Sequence, residues 1–214
     1  IYMKNKFGFI LVEPQLGENV GACARSLKNF GFSNLNIVSP KQALPNNKAK
    51  ATSVGAYDLV KKAKVYNSIN QAINKFDIVI SLSARKRDVN KKHISLNQFL
   101  KMITLKRNVK FGLMFGPEAS GLTNSDLSLS NYVLQIPTSK NFKSLNLSHS
   151  LTIISYEIFK CLNFKKFEKA TKKISISSKS RISSLLAHLK KLLDKKGFFA
   201  PKEKKHSMIM NINN

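Results

Sequence analysis

Short apolar runs alternate along this chain with segments whose apolar residues recur every three or four positions. Residues 7–13 (FGFILVE) read as a buried strand. In residues 19–31 (NVGACARSLKNFG), Val20, Ala24, Leu27 and Phe30 fall at helical spacing, and Gly31 stands where a helix C-terminal glycine belongs. Residues 34–40 (NLNIVSP) form a second strand stopped by Pro40, and a polar loop then leads into a short helix. Residues 62–66 (KAKVY) carry a candidate edge strand, 68–76 a helix, 77–84 (DIVISLSA) a central strand and 95–105 a helix. Two further strands follow at 109–115 (VKFGLMF) and 131–137 (NYVLQIP). A long helix over 144–162 closes the region, with Leu147, Leu151, Ile154 and Ile158 on one face. Strands alternating with helices predict an α/β fold with a mostly parallel sheet, and ligands bind such sheets beyond the carboxyl ends of the strands.

The pattern changes after Lys165. Residues 165–180 are basic and serine-rich and read as a linker; residues 181–214 form a basic helical extension whose amphipathic helix is ended by Gly197. The expected organisation is a domain over 1–164, the linker, and the extension. A length of 214 residues suits one good-sized domain with a smaller appendage.

Charge narrows the function. The chain carries 37 Lys and Arg against 11 Asp and Glu, a net +26. That excess points to a polyanionic partner, above all nucleic acid, although a sequence rich in Lys, Asn and Ile also fits a biased composition. Cys23 and Cys161 are far apart and have no metal-ligand spacing, so neither a zinc site nor a disulfide framework is expected, and the reading is a reducing, cytoplasmic compartment. No apolar run approaches the ~20 residues that span a bilayer, and residues 1–9 lack the apolar core of a signal peptide.

Four strand-end segments carry the candidate chemistry. In 13–25 (EPQLGENVGACAR), Gly17 and Gly21 permit close backbone approach, Asn19 is placed as a helix N-cap, and Arg25 is either a surface arginine or a site residue on the first turns. In 81–87 (SLSARKR), small residues end a strand and Arg85 and Arg87 follow: a basic loop, or the phosphate-binding rim of a pocket. In 115–122 (FGPEASGL), Pro117 fixes a turn, Gly116 and Gly121 leave room for a ligand, and Glu118 either caps local backbone N–H groups or accepts from a ligand. In 136–150 (IPTSKNFKSLNLSHS), Ser144 and Asn146 are polar residues at the start of an apolar helix, where ordinary capping is the competing reading. Ser148 and His149 are adjacent and face different sides of a helix, which argues against a nucleophile–base pair. Neither GxGxxG nor GxxxxGK[ST] occurs, so a nucleotide-dependent enzyme on a Rossmann-like sheet is disfavoured.

Taken in order, N-x-G-A-x-A-R, F-G-P-E-x-S-G-L and I-P…S-L-N-L-S resemble the three motifs of the SPOUT superfamily of RNA methyltransferases, TrmH-like family, over residues 7–162. The opening LVEPQ and the tail are most similar to the TrmJ branch, the tRNA (cytidine/uridine-2′-O) methyltransferases. The resemblance implies a parallel sheet with a deep C-terminal trefoil knot, a homodimer whose subunits both shape each active site, and S-adenosylmethionine as methyl donor with no metal. It implies a cofactor pocket of Leu82, Ser83, Ala84, Gly116, Ile136, Ser144 and Leu145, held rigid by Pro117 and Pro137. It implies catalysis by Arg25 with Ser144, Asn146, Glu118 and Asn19, and RNA contacts by Arg25, Arg85 and Arg87. A guanidinium stays protonated near neutral pH and is a poor base, so one that binds phosphate and stabilises a developing alkoxide is the preferred role. The implied reaction is 2′-O-methylation of tRNA at the first anticodon-loop nucleotide, position 32. The alternatives are another tRNA position, rRNA, or an RNA-binding module without turnover. The tail ends in NINN where the branch pattern continues into another helix, which implies a changed grip on tRNA or on the second subunit.

Overall fold

The apolar runs become strands because each is buried on both faces, as a parallel sheet covered by helices demands. The computed structural model describes residues 4–84, 91–106, 108–163 and 178–213. In chain order the elements are β1 (Phe7–Val12), α1 (Gly17–Asn29), β2 (Leu35–Val38), α2 (Asn47–Ser53), α3 (Tyr57–Lys62), β3 (Lys64–Tyr66) and α4 (Ile69–Ile73). There follow β4 (Ile78–Leu82), β5 (Lys92–Ile94), α5 (Leu96–Leu105), β6 (Phe111–Phe115), α6 (Asn124–Ser128), β7 (Tyr132–Leu134) and α7 (Leu147–Asn163).

The seven strands among the described residues form one sheet in the order β3-β2-β1-β6-β4-β7-β5, and every pairing is parallel. All residues of β1, β2, β4 and β6 are buried. Alternate residues serve two cores. Phe7, Phe9, Leu11, Phe111, Leu113, Phe115 and Ile80 join Leu27 of α1, Phe99 of α5 and Ile154 of α7 on one face. Ile10, Val12, Met114 and Val133 meet Ala72 of α4 and Leu127 of α6 on the other. Each fully buried Phe, Leu or Ile contributes roughly 1.5–3 kcal/mol. On the second face Gly8 and Gly112 lie opposite each other in register, and Phe76 fills the space their missing side chains leave.

The structure departs from the pattern in four places. Where the pattern gives a polar loop and one short helix after Pro40, there are two helices, α2 and α3. Residues 144–146 precede the long helix, which starts at Leu147. β5 is a seventh strand that the pattern does not show, because Lys92 and His93 are exposed and only Ile94 is buried. α6 is likewise unforeseen, a short helix held by a capping box in which Thr123 and Asp126 satisfy each other's backbone N–H.

The chain divides into two compact units, Ile1–Phe167 and Glu168–Asn214. In the second unit α8 (Lys179–Lys195) is capped by Ser178 and α9 (Lys205–Asn213) follows. Lys205 pairs with Asp194 at 2.6 Å and lies over the Phe199 ring. Most of the linker expected over 165–180 lies outside the described residues.

Candidate active site

Strands β4, β6 and β7 stop at neighbouring positions, with Ser81 opposite Met114 and Leu82 opposite Leu134. Beyond their carboxyl ends opens a cavity of about 610 Å³. That size suits a ligand of drug or cofactor dimensions. Leu82 walls it from the end of β4, Ser83 and Ala84 from the loop that follows, Gly116 from the loop after β6, Ile136 from the segment after β7, and Ser144 and Leu145 from the approach to α7. All seven residues expected around a cofactor therefore stand on one cavity. Gly116, Ile136 and Leu145 lie outside helices and strands, so their peptide groups belong to no ladder.

The walls are tied to one another. Ser83 N donates to Leu134 O at 3.1 Å, and Gln135 Nε2 donates to Ala84 O at 3.1 Å, so the ends of β4 and β7 hold each other. Gln135 also lines the cavity, and the sequence motifs do not single it out; its one signal is a polar side chain directly after an apolar run. Gly116 acts differently from expectation. A side chain on Gly116 would fall on the peptide of Gly121 and Leu122, so the space is taken by the loop itself rather than kept for a ligand. Gly121 has φ 65°, a left-handed turn that glycine adopts without strain, and its N–H closes the turn on Pro117 O at 2.9 Å. Gly17 faces the Asn46 side chain, and Gly21 lets α1 approach Ala49 and Thr52 of α2.

Glu118 is the hub of the region. Its carboxylate accepts from Gln15 N at 2.9 Å, Leu16 N at 3.4 Å and Asn19 Nδ2 at 2.6 Å. Asn19 Oδ1 in turn accepts from Asn146 Nδ2 at 3.1 Å, while Asn146 Oδ1 accepts from Ser148 N at 2.8 Å at the start of α7. Three segments distant in sequence are thus locked by one chain of hydrogen bonds. Asn146 thus caps α7, the ordinary reading of a polar residue there, and it is not among the described residues that wall the cavity. Asn19 is not the N-cap of α1. The helix starts at Gly17 after an extended Leu16, and Asn19 lies inside the first turn with its side chain committed to Glu118 and Asn146. Beneath this network Cys23 is fully buried, and burial, reinforced by the Glu118 charge, pushes its thiol pKa well up. It stays protonated and takes no part in chemistry at neutral pH.

Arg25 is exposed on α1 and is not among the described residues that wall the cavity. Ser26, next to it, bonds Thr152 of α7 at 2.6 Å. Arg85 and Arg87 lie outside the described residues. Ser148 is buried and His149 exposed, as expected of neighbours on a helix. Among the described residues no group of three or more His, Cys, Asp or Glu stands close enough to hold a metal ion. In the same residues no helix is long and apolar enough to cross a membrane.

A sequence model of the SpoU rRNA Methylase family matches residues 6–156. The tRNA (cytidine-2′-O-)-methyltransferase TrmJ of Methanocaldococcus jannaschii is 38% identical over 154 residues, 70% of this chain and 66% of that protein. The chain thus spans about two thirds of that relative's length. The crystal structure of TrmJ from Z. mobilis ZM4 superposes with a TM-score of 0.68 at 29% identity, covering 96% of this chain and 87% of the other. The SpoU methyltransferase AviRb from Streptomyces viridochromogenes, solved in complex with the cofactor AdoMet, shares the fold with a TM-score of 0.57 at 18% identity, over 72% of this chain and 56% of that one.

Proposed function

Because the chain belongs to the SpoU rRNA methylase family, we propose that the cavity beyond β4, β6 and β7 binds S-adenosylmethionine and that the protein methylates a ribose 2′-oxygen of tRNA. The observation that carries this reading is the meeting of all seven expected pocket residues on one cavity, braced by the Glu118–Asn19–Asn146 chain. The donor set fits the group: apolar Leu82, Ile136 and Leu145 flank an adenosine-sized space, and peptide groups at Gly116, Ile136 and Leu145 suit its adenine and ribose.

Bound there, S-adenosylmethionine supplies a methyl group on a good sulfur leaving group. The protein's own work is positioning. Pro117 and Pro137 keep the loops in their bound shape, so little ordering is left to do on binding. Ser144 and Asn146 orient the target ribose. Arg25 binds the neighbouring phosphate and faces the negative charge that grows on the 2′-oxygen as its proton leaves. Glu118 and Asn19 hold the two loops in register. In this reading the molecule is a cytoplasmic homodimer. Arg25 stands off the wall of its own cavity and serves the cavity of the second subunit. The methyltransferase domain covers 1–164 with its C-terminal segment threaded as a deep trefoil knot, and the basic linker and the extension over 181–214 grip the tRNA body together with Arg85 and Arg87. The proposed target is the first nucleotide of the anticodon loop.

The test is incubation of the protein with radiolabelled S-adenosylmethionine and bulk tRNA, followed by digestion and mapping of the labelled ribose. Label is expected at the first anticodon-loop nucleotide, and Arg25→Ala is expected to lower kcat by roughly 100- to 1,000-fold. Unchanged turnover by that variant removes the role given to Arg25. Label elsewhere in tRNA keeps the reaction and moves the target, and no label in tRNA but label in a parallel incubation with rRNA replaces the substrate.

A further inference from the structure

Phe142 is 75% exposed, more than any other large hydrophobic residue among those described. Its position is particular. Lys140, Asn141, Lys143 and Ser144, the residues on either side of it, all line the cavity beyond the strand ends. Phe142 is therefore carried on the cavity's rim by a segment whose neighbours face inward, and Asn141 N donates to Ser139 Oγ at 3.3 Å in the turn that presents it. An aromatic ring held in water beside a binding site, flanked by two exposed ammonium groups, has the composition of a single-stranded nucleic-acid contact, with cations for phosphate and a flat apolar face for a base.

We infer that Phe142 is a stacking platform for an unpaired base of the substrate RNA, placed beside the nucleotide whose ribose enters the cavity. This rests on the methyl-transfer reading above and adds to it a positioning residue for the RNA. Charge favours RNA over a second copy of the chain as the direct partner of this ring. Residues 137–146 (PTSKNFKSLN) contain two lysines and no acid, on a chain of net charge +26. A copy-to-copy contact here would bring like charges together, whereas a polyanion neutralises them. Stacking on any base explains an unadorned Phe, because a π-face is read without hydrogen bonds.

The chain contains no tryptophan, so Phe142→Trp places a single fluorescent reporter at this position. Titration of that variant with tRNA is expected to quench its emission saturably. Phe142→Leu keeps the bulk and loses the ring. It is expected to lower kcat/KM for tRNA methylation about 5- to 150-fold, the range base–aromatic stacking commands, while Phe142→Trp and Phe142→Tyr retain activity. Calorimetric binding of S-adenosylmethionine is expected to be equal in all of them. Three results would overturn the inference: wild-type kcat/KM in Phe142→Leu, emission unmoved by saturating tRNA, or weakened S-adenosylmethionine binding in the leucine variant. Emission already shifted to the blue in protein alone would assign the ring to a buried contact instead. If the unaltered protein binds tRNA and transfers no methyl group, the reaction reading fails, and the emission of the Phe142→Trp variant on titration with tRNA still decides the platform.

Discussion

Glu118 accepts hydrogen bonds from residues about a hundred positions earlier in the chain, two of them backbone N–H groups just before α1. The turn after β6 thereby fastens the turn after β1, its neighbour in the sheet. The bonds from Gln15 N and Asn19 Nδ2 are charge-assisted and partly buried, the condition in which they are strongest. Glu118→Gln leaves one acceptor oxygen and turns an NH₂ group toward donors. It is expected to lower unfolding stability by about 1–3 kcal/mol, read as a drop in the urea midpoint at unchanged slope. An unchanged midpoint would show that water replaces the carboxylate at no cost. Only part of this residue's role is legible in the sequence. FGPE marks a rigid turn at a strand end, but the partners of Glu118 lie at a separation that no local pattern reports. Asn19 is misread for the same reason: as an asparagine near a helix start it resembles a cap, and only the fold reveals that Glu118 and Asn146 claim its side chain.

Helix α1 ends as its sequence says. Gly31 has φ 72°, its N–H bonds Lys28 O at 3.1 Å, and Phe32 N bonds Leu27 O at 2.9 Å, the paired bonds of a Schellman cap. Gly31→Ala forces a side chain into the left-handed region and is expected to cost about 1–2 kcal/mol, measured by thermal unfolding; a loss below a few tenths would mean the cap relaxes. The buried strands β1, β2, β4 and β6 are equally legible, because burial on both faces writes an unbroken apolar run. β5 is not, since an edge strand of three residues with two of them exposed carries no such run. α6 has a readable capping signature in Thr123 and Asp126, yet its five residues are too few to set up a helical period. The slot formed by Gly8 and Gly112 is invisible for another reason. Each glycine reads as a weakness in its strand, and the Phe76 ring that fills the slot belongs to a distant segment.

At the scale of the whole molecule the excess of positive charge sets the expectation for RNA. Affinity for tRNA is expected to fall by about 10³- to 10⁵-fold between 50 and 200 mM salt if six to ten phosphates are contacted. Filter binding across that range measures it, and a shallow dependence would remove electrostatics as the anchor. The order of strands has a different consequence, for the time course of assembly. β1 lies at the start of the chain and has β2 on one side, but its other neighbour, β6, begins only at Phe111. β4 waits for the same strand. A nascent chain that has emerged only as far as α5 therefore exposes the open flanks of two apolar strands with no partner between them. Closing so long a loop makes folding slow, and unpaired strand edges of this kind invite other chains to pair with them. The five residues of β6 act as the keystone: until the ribosome has released them, the preceding hundred residues have helices and half-sheets to offer a chaperone, but no finished core.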